Sequence, residues 1–168
     1  MRPLIPFVTG VLALAAPIAS AQEQPDLALV VAEHEEHGLF LADGEGRPVY
    51  AFLNSEAIGG DGLDPLESCH EHCRDDWPLV TATGTVRAGE GVDPYLVGTR
   101  PDGEAGEVVT YNDYELFYFH RDAPGTSPEG QGIFSYGGYW ALLRPSGLAI
   151  RTGPMEERDQ LPEPTEGG

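Results

Sequence analysis

The sequence contains no lysine, and its basic side chains are few. Lysine and arginine together number 9, against 28 aspartates and glutamates, so the formal net charge at pH 7 is −19. Proteins that bind nucleic acids or anionic lipid surfaces neutralise the phosphates with clusters of basic side chains. The charge balance therefore leads us to exclude DNA, RNA and anionic membranes as partners.

Long apolar runs are also absent, except for one at the N-terminus. That run extends over residues 7–18 behind Arg2, and Ala19, Ser20 and Ala21 follow it as a small-residue cleavage site. This order is typical of a secretory signal peptide, so we predict that residues 1–21 are removed near Ala21. No later run approaches the roughly 20 residues of a membrane-spanning helix. We therefore expect a soluble periplasmic or secreted protein with no membrane span.

The remainder is long enough for one domain and too short for two ordinary ones. The whole chain has 22 glycines and 15 prolines, and those after residue 21 separate short apolar runs, a pattern typical of an antiparallel all-β sandwich or barrel-like domain. We assign residues 22–37 to an acidic leader, in which 27–32 could form a first strand, 38–152 to the β domain, and 153–168 to a disordered acidic, proline-rich tail. Strands are predicted at residues 39–41 and 49–53, as a hairpin, and at 79–81, 95–99, 108–111, 116–120 and 139–143.

Two parts of the β domain resemble each other, at about residues 38–81 and 106–147. In each part a turn precedes a strand with aromatic residues at alternate positions, and a strand led by tryptophan follows after a variable loop. Alternate residues share one face of a strand, so these rings can pack against the two tryptophans in one core. We favour this packing over ligand stacking. The pattern consists of Tyr50, Phe52, Trp77, Phe117, Phe119 and Trp140.

The order of these motifs resembles the secreted-repeat family of bacterial envelope proteins, predicted lipoproteins with a Tyr-x-aromatic-x-x-Asp motif. In the family pattern the motif precedes a Cys-x-x-x-Cys, a Trp-Pro strand and a second copy of the motif. Here the first copy begins at Tyr50 and has Ser55 in place of the aspartate. The second copy begins with Phe117 in place of the tyrosine and keeps Asp122. The resemblance implies an exported two-repeat protein and no particular activity.

Cys69 and Cys73 are the only cysteines and lie in residues 67–76, the one stretch that we predict to be a short helix. In an oxidising compartment two cysteines most simply form a disulfide, and a Cα separation of about 6 Å between residues four apart on a helix permits it. The alternative is a zinc or copper site formed by Cys69, His72 and Cys73, because thiolate and imidazole suit both metals.

His34 and His37 could add ligands to such a metal site. On their own we interpret them as solvated polar residues.

No catalytic motif fixes a reaction type, since a nucleophile elbow and a phosphate-binding loop are both missing. We therefore predict a non-enzymatic binding or structural module of the cell envelope, without a cofactor, whose partner is an unknown small molecule or envelope protein. Tyr118, Tyr136 and Tyr139, together with Tyr50, form the candidate binding surface, because tyrosine combines a stacking face with a polar tip. The alternative is a redox or metal-handling accessory protein that uses the cysteine segment.

Overall fold

The structure, a computed structural model, describes residues 27–152. The predicted signal peptide at 1–21 and the predicted tail at 153–168 lie outside this range. Strands are the dominant regular structure of the described residues and helices are few and short, which confirms the all-β prediction. The strands are β1 Ala28–His34, β2 Gly38–Asp43, β3 Tyr50–Leu53, β4 Thr81–Ala82, β5 Arg87–Ala88, β6 Val97–Asp102, β7 Gly106–Tyr111, β8 Tyr114–Phe117, β9 Phe134–Ser135 and β10 Gly138–Leu142; the helices are a 3₁₀ turn at Glu56–Ile58, α1 Pro65–Ser68 and α2 His72–Asp76.

The strands form two sheets. The smaller sheet has the order β2-β1-β5, and the larger has the order β4-β7-β8-β3-β10-β9, with β6 also paired to β7. All pairs are antiparallel except β1 with β5. Between residues 27 and 152 no helix has the length and apolarity needed to cross a membrane.

The folded domain begins before residue 38. β1 pairs with β2 along its length, from Leu29 opposite Asp43 to His34 opposite Gly38, and Leu29 is fully buried. The strand option for residues 27–32 is therefore confirmed. This part of the predicted acidic leader belongs to the domain.

The predicted hairpin at residues 39–53 forms next to its turn but does not continue along β3. The chain reverses at Gly46, which has a φ of 87°. Ala42 is bridged to Pro48, and the backbone N–H of Val49 donates to the carbonyl oxygen of Leu41 at 3.2 Å. β3 then enters the larger sheet between β8 and β10, while β2 stays in the smaller one. The alternation of side chains along a strand does not reveal this change of sheet, because a strand shows the same alternation in whichever sheet it lies.

The central strands of the larger sheet are buried on both faces. On β3, Tyr50 and Phe52 face one core while Ala51 and Leu53 face the other, and β10 divides its residues in the same way. One core is therefore rich in aromatic rings and includes both cysteines, and the other is mainly aliphatic. We refer to them as the aromatic core and the aliphatic core.

Candidate functional site

The predicted helix at 67–76 divides into two short helices around the first cysteine. α1 begins after Asp64, whose side chain accepts the backbone N–H of Leu66 at 2.9 Å. Cys69 ends α1, and Glu71 has a φ of 48°, outside the helical region, before α2 begins. Cys69 and Cys73 form a disulfide with their Cα atoms 5.1 Å apart, and both lie buried in the aromatic core.

The disulfide corrects the metal alternative for this segment. Both sulfurs are bonded to each other, so neither is a thiolate that could hold a metal. His72 lies on the surface, with its Nδ1 3.5 Å from Oδ2 of Asp75. The zinc or copper site of Cys69, His72 and Cys73 therefore does not form in the oxidised protein.

We expect the double variant Cys69→Ala/Cys73→Ala to lose about 2 kcal/mol of unfolding free energy. The closed loop is only a few residues long, and the chain-entropy relation gives about this value for so small a loop. Urea denaturation of the variant and the oxidised wild type at one pH and salt concentration measures the difference. The substitution leaves the formal charge unchanged, so an equal midpoint in the two proteins would contradict a stabilising role.

The two tryptophans join the two halves of the aromatic core. The rings of Trp77 and Trp140 are stacked, with centroids 4.0 Å apart and planes inclined by 4°. Phe119 packs against Trp77, and Phe52 against Trp140, each at a centroid distance of 4.4 Å. All six aromatic residues of the sequence pattern are buried, which confirms the predicted packing.

Tyr50 and Asp122 form a buried polar pair beside these rings. The Tyr50 hydroxyl donates a short hydrogen bond to Oδ2 of Asp122 and accepts the backbone N–H of Gly130 at 3.2 Å. The backbone N–H of Glu129 donates to Oδ1 of Asp122 at 3.0 Å. Burial raises the pKa of the Asp122 carboxyl, and burial together with this carboxyl raises the pKa of Tyr50. The pair fastens the loop at residues 122–130 to β3.

The predicted tyrosine surface is not assembled. Tyr50 is fully buried and Tyr139 is 8% exposed. The Tyr136 hydroxyl donates to Asp76 at 2.7 Å on α2, which packs into the aromatic core. Tyr118 instead packs against the aliphatic core. These tyrosines therefore lie against different faces of the larger sheet and cannot line one cleft.

A cleft lies instead at the end of β3, between the 3₁₀ turn, the start of α1 and the strands β6 and β8. Its volume is about 490 Å³, within the range of about 300–1,000 Å³ that small-molecule sites occupy. We call it the β3–β8 cleft. It is lined by Phe52, Leu53, Asn54, Ser55, Ala57, Ile58, Pro65, Arg100, Asp113, Tyr114, Glu115 and Arg151.

Arg100 and the two carboxylates that it contacts, those of Asp64 and Glu115, form what we call the polar wall of the β3–β8 cleft. The Arg100 guanidinium donates to Oδ2 of Asp64 at 2.6 Å and to the buried carboxylate of Glu115 through a short contact. A side chain fixed by two carboxylates is preorganised, so little conformational entropy is lost there when a ligand binds. The cleft is therefore formed in advance of any ligand.

Arg74 fixes the disulfide segment next to this wall. It donates to the carbonyl oxygen of Cys69 at 2.9 Å and to Oδ2 of Asp102 on β6 at 2.9 Å. The hydrogen bond from Arg74, helped by backbone N–H donors at Ala105 and Glu104, lowers the pKa of the Asp102 carboxyl to about 2. The sequence analysis did not single out either arginine. The signal that could have found them is composition, because a chain with so few basic residues and so many acidic ones is expected to pair its arginines with carboxylates.

Comparisons with protein-family models, with curated proteins and with solved structures found no match to this chain. The resemblance to the secreted-repeat family stays a prediction from the motifs. A fold alone does not identify a function, which depends on the residues of the site.

Proposed function

We propose that this protein is an exported, non-enzymatic binding module that holds a small neutral or cationic ligand in the β3–β8 cleft. The observation that carries the proposal is the cleft itself, with its preformed polar wall at Arg100 and its apolar floor. The signal-like N-terminus and the disulfide, which persists in oxidising compartments, support export.

The chemistry of the cleft favours binding over catalysis. Arg100 is committed to Asp64 and Glu115, and the Ser55 hydroxyl accepts the backbone N–H of Ala57 at 3.2 Å as a helix cap. These contacts organise the walls and leave no nucleophile paired with a base among them. The proposed role is therefore recognition.

The expected ligand has an apolar part and carries no negative charge. The lining supplies apolar and aromatic surface, and its charges balance, because the carboxylates of Asp113 and Glu115 stand with the guanidiniums of Arg100 and Arg151. The preference against anions therefore comes from the charge of the whole chain. The chain as a whole has a formal charge of −19, so its field repels anions and attracts cations. A ring-bearing amide or amidine meets these conditions, and the corresponding carboxylate does not.

A redox role for the cysteines is disfavoured by their burial. Cys69 is 0% and Cys73 is 1% exposed. Thiol–disulfide exchange requires that an attacking thiolate reach a sulfur atom. The disulfide is therefore proposed as a structural support of the cleft.

Isoleucine methyl groups offer a direct test of binding. After the predicted cleavage site the chain has only Ile58, Ile133 and Ile150. Ile58 lines the cleft, whereas Ile133 and Ile150 pack in the aromatic core. We expect titration of the isoleucine-labelled mature protein with benzamide or benzamidine to shift the Ile58 methyl resonance with a dissociation constant of about 1 mM. The other two methyls should not move, and benzoate should produce no shift.

Two tryptophan variants control this experiment. Ala57 is exposed and lines the cleft, so Ala57→Trp should fill the cleft and abolish the Ile58 shift. Ala123 is exposed and lies outside the lining, so Ala123→Trp should leave the shift unchanged. Equal shifts in the two variants, or an unmoved Ile58 methyl with all three fragments, would exclude ligand binding in this cleft.

A further inference from the structure

The tip of the β1–β2 hairpin brings together two histidines and a glutamate. One potential ligand atom from each of His34, Glu36 and His37 lies within 4.8 Å of the others. The two imidazole rings are stacked, with centroids 5.0 Å apart and planes inclined by 22°. The turn therefore places the two half-buried histidines side by side.

The backbone of the hairpin fixes this arrangement. The last paired residues are His34 and Gly38, which leaves a three-residue loop, and Gly38 has a φ of 68°. A glycine in this left-handed conformation is the usual end of a three-residue hairpin loop. The histidines therefore stand at the two ends of a tight loop whose length cannot vary without loss of the register.

His34 is oriented through both ring nitrogens. Its Nδ1 accepts the backbone N–H of Glu36 at 3.3 Å, so Nε2 carries the proton and donates to the hydroxyl of Ser127, 2.8 Å away. In metal-binding histidines one ring nitrogen holds the ion while the other donates to a neighbouring oxygen. With Nε2 donating to Ser127, Nδ1 would be the ligand atom of His34, and a bound ion would replace its 3.3 Å contact with the Glu36 N–H.

His37 carries a buried atom without a partner. Its Nδ1 is shielded from solvent and makes no hydrogen bond within the described residues. A buried nitrogen without a partner lowers stability, because its hydrogen bond to water is lost on folding and no hydrogen bond within the protein replaces it. Coordination of a cation by this side chain would compensate for that loss.

We propose that His34, Glu36 and His37 form a binding site for a divalent transition-metal ion, Zn²⁺ or Cu²⁺. Two imidazoles and one carboxylate are ligands that both ions accept, with water completing the coordination shell. Metal–nitrogen distances of about 2.0–2.1 Å require ligand atoms about 3.4 Å apart. The three atoms would therefore have to move together by up to about 1.4 Å, through small side-chain rotations of two half-buried histidines and an exposed glutamate. By the general affinity order, Cu²⁺ binds more tightly than Zn²⁺.

The test must separate this site from general attraction of cations to an acidic chain. We would use the tag-free mature protein in 0.5 M NaCl, where the Debye length is about 4 Å and diffuse attraction is screened. Calorimetric titration with ZnCl₂ and with CuCl₂ should each give one equivalent of binding, whereas MgCl₂ should give none. Magnesium is the comparison because it prefers oxygen ligands and feels the same diffuse field.

Matched histidine variants locate the site. His34→Ala and His37→Ala should each weaken Zn²⁺ and Cu²⁺ binding about tenfold or more, since the loss even of an outer partner costs a site about that much. His70→Ala and His72→Ala, which remove exposed histidines elsewhere, should leave the affinity unchanged. Thermal unfolding of all variants in EDTA checks that they are equally folded.

Three outcomes would overturn the proposal. The first is unchanged metal affinity in the His34→Ala/His37→Ala double variant. The second is an equal loss in the His70 and His72 variants. The third is equal stoichiometry for Mg²⁺, which would assign the binding to diffuse charge. None of these results bears on the β3–β8 cleft, because that cleft contains no histidine.

Discussion

Replacement of Trp140 by alanine is expected to lower the unfolding free energy by about 3–5 kcal/mol. The Trp140 side chain is fully buried and stacks on Trp77 at 4.0 Å, so its removal leaves a cavity where the two halves of the aromatic core meet. It also leaves Ser135 without the hydrogen bond that the indole Nε1–H donates at 3.0 Å. Since an entire domain is stable by only about 5–15 kcal/mol, the variant should be largely unfolded in mild denaturant.

Urea denaturation followed by circular dichroism measures this loss. The matched control is Tyr95→Ala, which removes an aromatic side chain that is 94% exposed and should change stability by less than about 0.5 kcal/mol. A conservative Trp140→Phe variant keeps most of the apolar surface and should fall between the two. Similar midpoints for the Trp140 and Tyr95 alanine variants would show that the stacked pair does not hold the core.

Replacement of Asp122 by alanine is expected to cost about 1–3 kcal/mol, because it leaves the buried Tyr50 hydroxyl and the Glu129 N–H without their acceptor. Tyr50→Phe removes the other partner of the pair. The two single variants and the double variant form a thermodynamic cycle, in which we expect the double variant to be more stable than the sum of the single losses predicts. Additive losses would show that the two groups do not interact.

The contribution of Asp122 to the unfolding free energy is expected to decrease as the pH rises. Burial raises the folded-state pKa of Asp122 above the unfolded value of about 3.9. Between these two pKa values the folded state holds more protons than the unfolded state, so the unfolding free energy contributed by this group falls as the pH rises. The contribution is complete below about pH 4 and is lost as the pH passes through the folded-state pKa.

Comparison with Asp122→Asn isolates this contribution from those of the other carboxylates. Unfolding free energies of both proteins are measured from about pH 4 to pH 8, and the wild-type value minus the variant value should decrease across this range. A difference that increases with pH would mean that the fold stabilises the charged carboxylate, contrary to the environment described.

The aromatic core could be predicted because its signal is local and periodic. Rings at alternate strand positions, followed by a tryptophan, define one face wherever the strands lie. The same pattern explains the motif departures if the two parts of the chain are repeats. Tyr50 of the first copy bonds to Asp122 of the second, so the equivalent pair would be Phe117 and Ser55. Phe117 lacks the hydroxyl and Ser55 lacks the carboxylate. The hydrogen bond of the first pair would therefore be kept, and both partners of the second would have been replaced.

The change of sheet after β2 and the β3–β8 cleft could not be predicted in this way. The cleft depends on Arg100 meeting Asp64 and Glu115, residues 36 and 15 positions away in the chain. Such long-range ion pairs leave no repeating pattern in the sequence, and any arginine in an acidic sequence has many possible partners. The stacking of His34 on His37 could not be predicted either, because it depends on the register of the hairpin.

The Ile58 methyl resonance tests the proposed binding role most directly. In a benzamide titration of the mature protein, the account predicts a saturable shift in the wild type and in Ala123→Trp, and none in Ala57→Trp. An Ile58 methyl that stays in place in the wild type, or one that shifts equally in all three proteins, would contradict it.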